Sequence, residues 1–286
     1  MVDHNNETKR IIALEEKLHN YEGVDRVIES REMQSKIAGQ PKAISHYSGI
    51  SILDKTLEGV QGGEVGVISG ETGHGKTTLA RTLTWNYEKK NKKCLWFSYE
   101  DTSAHFFNKF PELPSFYLPE KMISSQLDWI EERIIEGKIK FNTDIIFIDH
   151  LHYIIDFKMI ASGNSSLFIG GVMRHLKKLA LRHGIVIFLI CHLAKVEPGK
   201  EPTLYNIRDS SFIGQESDFV MLVCRKITTG DNNSSIDATK ETKVKIVKSR
   251  RTGRFANIYM LHENNLLIED RSKDPVGEWE NVNQYF

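Results

Sequence analysis

Residues 70–77 read Gly-Glu-Thr-Gly-His-Gly-Lys-Thr, the pattern G-x-x-x-x-G-K-[ST] in which a glycine-rich turn folds its backbone N–H groups around a polyphosphate. Gly70, Gly73 and Gly75 leave room for that turn, and the helix expected after it adds its positive amino end. Lys76 is placed to bridge the terminal phosphates and Thr77 to ligate Mg²⁺. The spacing therefore predicts an ATP site made of Gly70, Glu71, Thr72, Gly73, His74, Gly75, Lys76, Thr77 and Thr78.

Two carboxylates are candidates to complete it. Asp144-Ile-Ile-Phe-Ile-Asp149 is an apolar run closed by an acid, which makes Asp149 the second metal-side group. An acid in that place can also simply cap the next turn. Glu100 follows Cys94-Leu-Trp-Phe-Ser-Tyr99, so it emerges at the same carboxyl edge of a sheet and is the expected base for water activation. The alternative is its neighbour Asp101, whose plainer role is to N-cap the following helix.

These groups act together only if a sheet delivers several strand ends to one edge. From Val65 onward, short apolar runs alternate with helical stretches, as in a parallel sheet covered by helices. Strands are predicted at 65–69, 93–99, 145–149, 185–190 and 219–224, with one helix starting near Thr77. A second helix, 172–182, carries Met173, Leu176, Leu179 and Ala180 on one face. After Arg225, strands at 243–248 and 255–261 have no helix-length segment between them, which implies an antiparallel extension. Residues 228–235 read as a polar loop and the end of the chain as a solvated tail, whose Tyr285 and Phe286 either hook a partner or fray.

Ahead of this pattern, residues 1 to about 45 are charged and glycine-poor, with Ile11, Leu14, Leu18 and Tyr21 on one helical face. Such a helix caps its own domain or docks on a neighbouring subunit, and Gly39, Pro41 and Gly49 mark the joint. The expected division is a helical extension at 1–45, an ATPase domain at 46–270 and a polar tail at 271–286.

Composition narrows the function classes. With 286 residues, 40% hydrophobic and 27% charged, the chain can bury a core. Its 38 Lys and Arg balance 38 Asp and Glu, so it is not coated in cations for duplex nucleic acid, and any polyanion must be held locally. Cys94, Cys191 and Cys224 sit in apolar runs without metal-ligand spacing, as buried reduced thiols of a cytoplasmic protein would. No run is long enough to span a membrane, and the polar start MVDHNNETKR lacks the apolar core of an export signal, so neither membrane insertion nor export is expected.

In order along the chain, Leu53-Asp-Lys-Thr-Leu, GETGHGKTTLA, FSYED, IIFIDHLHYI, CHLAK, NIRDSSFIGQESDFVMLVCRK and VKSRRTGR resemble the RecA-like motor domain of replicative hexameric helicases of the DnaB type. The resemblance runs over roughly residues 50–269. It implies an α/β RecA-like P-loop domain with a mostly parallel central sheet flanked by helices and a C-terminal antiparallel extension. Lys76 and Thr77 then hold nucleotide and Mg²⁺, Asp149 supports the metal, and Glu100 activates water. His192 matches the strand-end residue that senses the γ-phosphate and signals to DNA loops; its bland alternative is a histidine satisfied by backbone.

Lys248 and Arg250 match the paired cations that reach into a neighbouring subunit's nucleotide, which makes hydrolysis depend on assembly. Arg251 and Arg254 are close, and a run of solvated cations is the alternative; the K-x-R spacing selects the first pair. Arg208, Asp209 and Ser211 match the loop that tracks the backbone of single-stranded DNA, with the departure that the family commonly has Gly at the Ser211 position. A ring repeats that small element around its channel, so a neutral chain can still grip a polyanion.

Members of the family also carry a helical primase-binding domain, and the roughly 45 residues before the motor here offer no counterpart, so primase coupling by that route is not expected. The resulting expectation is an ATP-dependent helicase in DNA replication, working on single-stranded DNA as a hexameric homo-oligomer, with a loader or other replication proteins as further partners. Alternatives are a recombination mediator or a signalling ATPase of the same fold. A nucleotide-gated scaffold without turnover needs neither Glu100 nor the Lys248/Arg250 pair.

Overall fold

The computed structural model describes residues 4–39, 43–154, 165–193, 196, 200–207, 210–229 and 236–273. Two units are distinguished, 1–43 and 44–286. The first contains helices α1 (His4–His19) and α2 (Ser30–Ala38). Ile11, Leu14 and Leu18 lie exposed on α1, while Tyr21 falls past its end and donates to Asp25 Oδ1 at 2.6 Å. No residue of α2 is buried.

The second unit runs β1 (Ser45–His46), α3 (Ser51–Leu57), β2 (Val60–Gln61), β3 (Val65–Gly70), α4 (Lys76–Glu88), β4 (Cys94–Ser98), α5 (Ser103–Phe107), α6 (Leu127–Phe141), β5 (Ile145–Asp149) and α7 (Leu151–Ile154). It continues through α8 (Ser165–His183), β6 (Val186–His192), α9 (Ser210–Glu216), β7 (Phe219–Thr229), β8 (Ile236–Ser249), β9 (Ala256–Glu263) and β10 (Leu266–Glu269). Eight strands form one sheet in the order β10-β9-β8-β7-β3-β6-β5-β4. From β4 across to β7 the neighbours are parallel, and from β7 to β10 they are antiparallel. This is the α/β class expected, a mostly parallel sheet with an antiparallel extension.

Side-chain alternation divides the core between the two faces of the sheet. Trp96, Phe147 and Phe188 stack in sequence across β4, β5 and β6, with ring centroids 4.8 and 4.9 Å apart, and pack in one cluster with Leu79, Leu83 and Tyr87 of α4. The Trp96 indole N–H donates to Thr84 Oγ1 at 2.9 Å, which satisfies the one polar atom in that stack. On the opposite face Ile146, Ile148, Ile187 and Leu189 meet Ile130 and Ile134 of α6 and Met173, Leu176 and Leu179 of α8. Burial of each such side chain contributes about 1.5–3 kcal/mol, which fixes the strands in register and so fixes where their ends lie.

Cys94 and Cys191 are buried free thiols, whereas Cys224, last of the apolar run on β7, is half-buried. Burial pushes the Cys191 thiol up to about 12 and that of Cys224 up to about 11, so both stay protonated. Among the described residues no helix is long and apolar enough to cross a membrane.

Candidate active site

Register brings the candidate groups to one edge. Gly70, the last residue of β3, pairs with His192 on β6 and Val223 on β7, while Asp149 of β5 pairs with Ser98 of β4 and Ile190 of β6. The glycine-rich loop, Asp149, His192 and, two residues past β4, Glu100 therefore all leave the sheet at its carboxyl edge.

The loop between β3 and α4 closes on itself. A Cβ at Gly70 would lie 2.5 Å from the Val223 carbonyl oxygen, and Gly75 adopts φ 97°, a left-handed conformation that glycine holds without strain. Lys76 is buried and its Nζ donates to the Glu71 carbonyl at 3.1 Å across the loop. Burial pulls its ammonium below the ordinary lysine value, and the Asp149 and Glu100 carboxylates pull it back. His74 accepts from the Arg225 amide N–H through Nδ1 at 3.3 Å, and burial holds its ring below the usual histidine range.

Thr77 Oγ1 donates to Asp149 Oδ2 at 2.9 Å. Asp149 is 2% exposed, and its other oxygen, Oδ1, is buried without a hydrogen-bond partner among the described residues. Burial pushes this carboxyl up to about 6, against the Thr77 hydrogen bond and the Lys76 charge. A mere turn cap would spend its oxygens on backbone N–H groups. A hydroxyl and a carboxylate with unspent lone pairs, side by side, instead fit a hard divalent cation such as Mg²⁺.

Glu100 and Asp101 separate cleanly. Asp101 accepts from Lys109 Nζ at 2.7 Å and is paired with His105 Nδ1 at 2.8 Å. Burial works against its charge, but the hydrogen bonds to Lys109 and His105 hold the carboxyl below its usual range. It does not cap α5: the N-cap is Thr102, whose side chain accepts from the His105 amide at 3.4 Å. Glu100 is exposed and gathers with His150 and His192, each offering a ligand-type atom within 4.8 Å of the others. The His150 and His192 rings meet edge to face with centroids 4.1 Å apart.

Lys248 and Arg250 lie elsewhere. Lys248 on β8 pairs with Val220 and Ser249 with Phe219, and Phe219 pairs with Gly66 near the start of β3. They thus sit toward the amino edge, Lys248 level with Val67 and Ser249 with Gly66, about 10–13 Å along the strand from Gly70 at roughly 3.3 Å per residue. Lys248 Nζ donates to the Gly214, Gln215 and Ser217 carbonyls at 2.6, 2.9 and 2.6 Å, and Arg250 Nη2 to the Gln215 carbonyl at 2.6 Å. Both cations hold the carboxyl end of α9. Burial, with Arg250's charge beside it, brings the Lys248 ammonium down to about 8. Arg251 and Arg254 turn instead toward the stretch between α3 and β3, onto Glu64 at 2.7 Å and Glu58 at 2.9 Å.

Arg208 and Asp209 lie outside the described residues, and Ser211 falls in the first turn of α9, where only the backbone is described. Sequence reasoning passed over Asp218, whose Oδ2 accepts from the Val65 amide at 2.8 Å and from Lys177 Nζ at 2.7 Å. It also passed over His150 and His152, which the fold places beside His192.

A family profile described as "DnaB-like helicase C terminal domain" matches residues 120–267, more than half of the chain. A "Probable replicative DNA helicase" of Trieres chinensis is 23% identical over 248 residues, covering 74% of this chain and 54% of its own length. A "DNA helicase/primase" of Enterobacteria phage T3 is 23% identical over 239 residues, 70% of this chain and 40% of the relative. The chain thus spans about half the length of these curated relatives, or less. Among solved structures, a DnaB-like replicative helicase, described together with its interactions with primase, superposes with a TM-score of 0.69 at 16% identity, over 91% of this chain and 71% of that one.

Proposed function

This chain belongs to the DnaB-like helicase C-terminal domain family, and on that premise we propose that it is an ATP-dependent replicative DNA helicase motor. It translocates on single-stranded DNA as a homo-oligomeric ring, with ATP sites at subunit interfaces. The observation that carries the reading is the division of one site's parts between two edges of one sheet. Lys76, the Thr77–Asp149 pair, Glu100 and His192 gather at the carboxyl edge, while Lys248 and Arg250 stand at the amino edge, out of reach of their own phosphate loop. A second copy is needed to bring cations to the phosphates.

Within this reading, backbone N–H groups of residues 70–78 cradle the phosphates and Lys76 leaves the Glu71 carbonyl to bridge them. Thr77 and Asp149 would hold Mg²⁺, which would neutralise charge on the phosphate oxygens. Glu100 accepts the proton of the attacking water, and His192, two strands away across β5, senses the γ-phosphate. Lys248 and Arg250 compensate charge on the neighbour's transferring phosphoryl group. Arg208, Asp209 and Ser211 follow the DNA backbone, and residues 1–45 serve as a linker helix to a domain at 46–270 with a tail at 271–286. The setting is cytoplasmic.

The test is ATPase activity with and without single-stranded DNA, together with unwinding of a forked duplex and a native mass. Stimulation by DNA, unwinding and a closed oligomer are expected. DNA binding without unwinding points to a recombination mediator, and indifference to DNA to a signalling ATPase; either result ends the helicase reading.

A further inference from the structure

We propose that Glu100, His150 and His192 form a binding site for a divalent ion of the zinc type, distinct from the oxygen pair Thr77–Asp149. The three residues follow or close adjacent strands β4, β5 and β6, so the sheet itself sets their separation. One donor atom from each lies within 4.8 Å of the other two. With all three atoms at that limit, a point equidistant from them is about 2.8 Å from each, so reaching a Zn–N or Zn–O bond of about 2.0–2.1 Å asks each donor to move by about 0.7 Å. Glu100 is exposed and has a long side chain, which gives it most freedom to close, while the two rings already meet with centroids 4.1 Å apart. His150 Nδ1 accepts from the His152 amide at 3.2 Å and lies 3.3 Å from His152 Nδ1, contacts that orient the ring.

The donor chemistry selects the ion. Two imidazoles and one carboxylate, with a fourth position left for water, are the ligand set of an open zinc site. Mg²⁺ prefers an all-oxygen shell and is served by Thr77 and Asp149. An ion at this second site occupies lone pairs of the Glu100 carboxylate and the His192 ring, so that neither is available to take a proton or to contact a γ-phosphate, and so gives a blocked resting state. That consequence rests on the helicase reading; the binding itself does not.

The experiment titrates the full chain, free of nucleotide, with Co²⁺ and follows visible absorption, then displaces Co²⁺ with Zn²⁺. One ion with the intense band of a four-coordinate centre is expected, with affinity weakened about tenfold or more in Glu100→Gln and in His150→Asn, and unchanged in His19→Ala, on the separate helix α1. His150 is buried, so its loss can disturb folding; Glu100, at the surface, carries the test independently. A spectrum of the fully hydrated ion, or wild-type affinity in both variants because the ion sits elsewhere, overturns the proposal. With no ATP or DNA present, a failure of unwinding does not bear on the result.

Discussion

Arg250 is fastened to Asp218 at two points: its amide N–H donates to the Asp218 carbonyl at 2.7 Å, and its guanidinium lies 3.6 Å from the Asp218 carboxylate. Asp218 is in turn bonded to Val65 in both directions, each at 2.8 Å. The proposed trans-acting cation is therefore anchored to the first residue of the strand whose last residue opens the phosphate loop.

Arg250→Ala should lower ATP turnover by about 10³-fold or more while leaving the native mass of the assembly unchanged. Mixed with Glu100→Gln subunits it should regain partial activity, because an intact water-activating edge then faces an intact cationic edge at some interfaces. No recovery in mixtures with confirmed subunit exchange counts against shared sites.

Glu100→Gln should reduce turnover by about 10²–10⁴-fold with nucleotide binding preserved in a calorimetric titration. Asp101→Asn should keep turnover within a few-fold, roughly, since its carboxylate is engaged with Lys109 and His105. Equal losses in the two variants would remove the distinction drawn between these neighbours.

The phosphate loop was legible because its chemistry is written in eight consecutive residues. The buried strands were legible because apolar runs flanked by polar segments have few alternatives. Helix α6 was not anticipated: Ile130 and Ile134 are buried while Ile139 is exposed, so its apolar residues do not keep one phase. Strand β10 was announced only by Asn264-Asn265, which adopt φ 48° and 62° in the turn before it, a hairpin signal that went unread. The hub at Asp218 joins residues up to 153 positions apart, and the histidine cluster joins three strand ends; sequence adjacency carries no trace of either.

Gly66→Ala tests the packing behind the loop. A Cβ there would come within 2.0 Å of the Phe219 ring, itself buried between β3 and β6 residues. The variant should lose about 1–3 kcal/mol or more in denaturant unfolding. Phe219→Leu in the same chain should restore part of the loss, so the two changes combine less than additively. Simple additivity would mean that the strain lies elsewhere.

Glu201 supplies a pH-dependent staple. Its carboxylate lies 2.8 Å from both Lys243 and Lys245, and hydrogen bonds to these lysines hold its carboxyl at about 2, below the ordinary value of 4.5. The folded state therefore binds its proton less readily than the unfolded one. Its contribution is present above about pH 4.5 and fades as pH falls toward about 2. The difference in unfolding midpoint between wild type and Glu201→Gln should be positive near neutrality and shrink through that window. A gap that holds constant or widens on acidification would rule the staple out.

The placement of β8's cations opposite β3's loop constrains how copies can associate. Under a twofold axis, whatever one copy's carboxyl edge meets on its partner, the partner's carboxyl edge meets on it, so both proposed reaction centres are completed at one interface or neither is. Head-to-tail contact completes one centre per joint and leaves its outermost edges unmet until the series bites its tail. In that proposed arrangement the rotation per protomer decides between a finite circlet and an endless spiral, and one sheet would supply both faces of every joint.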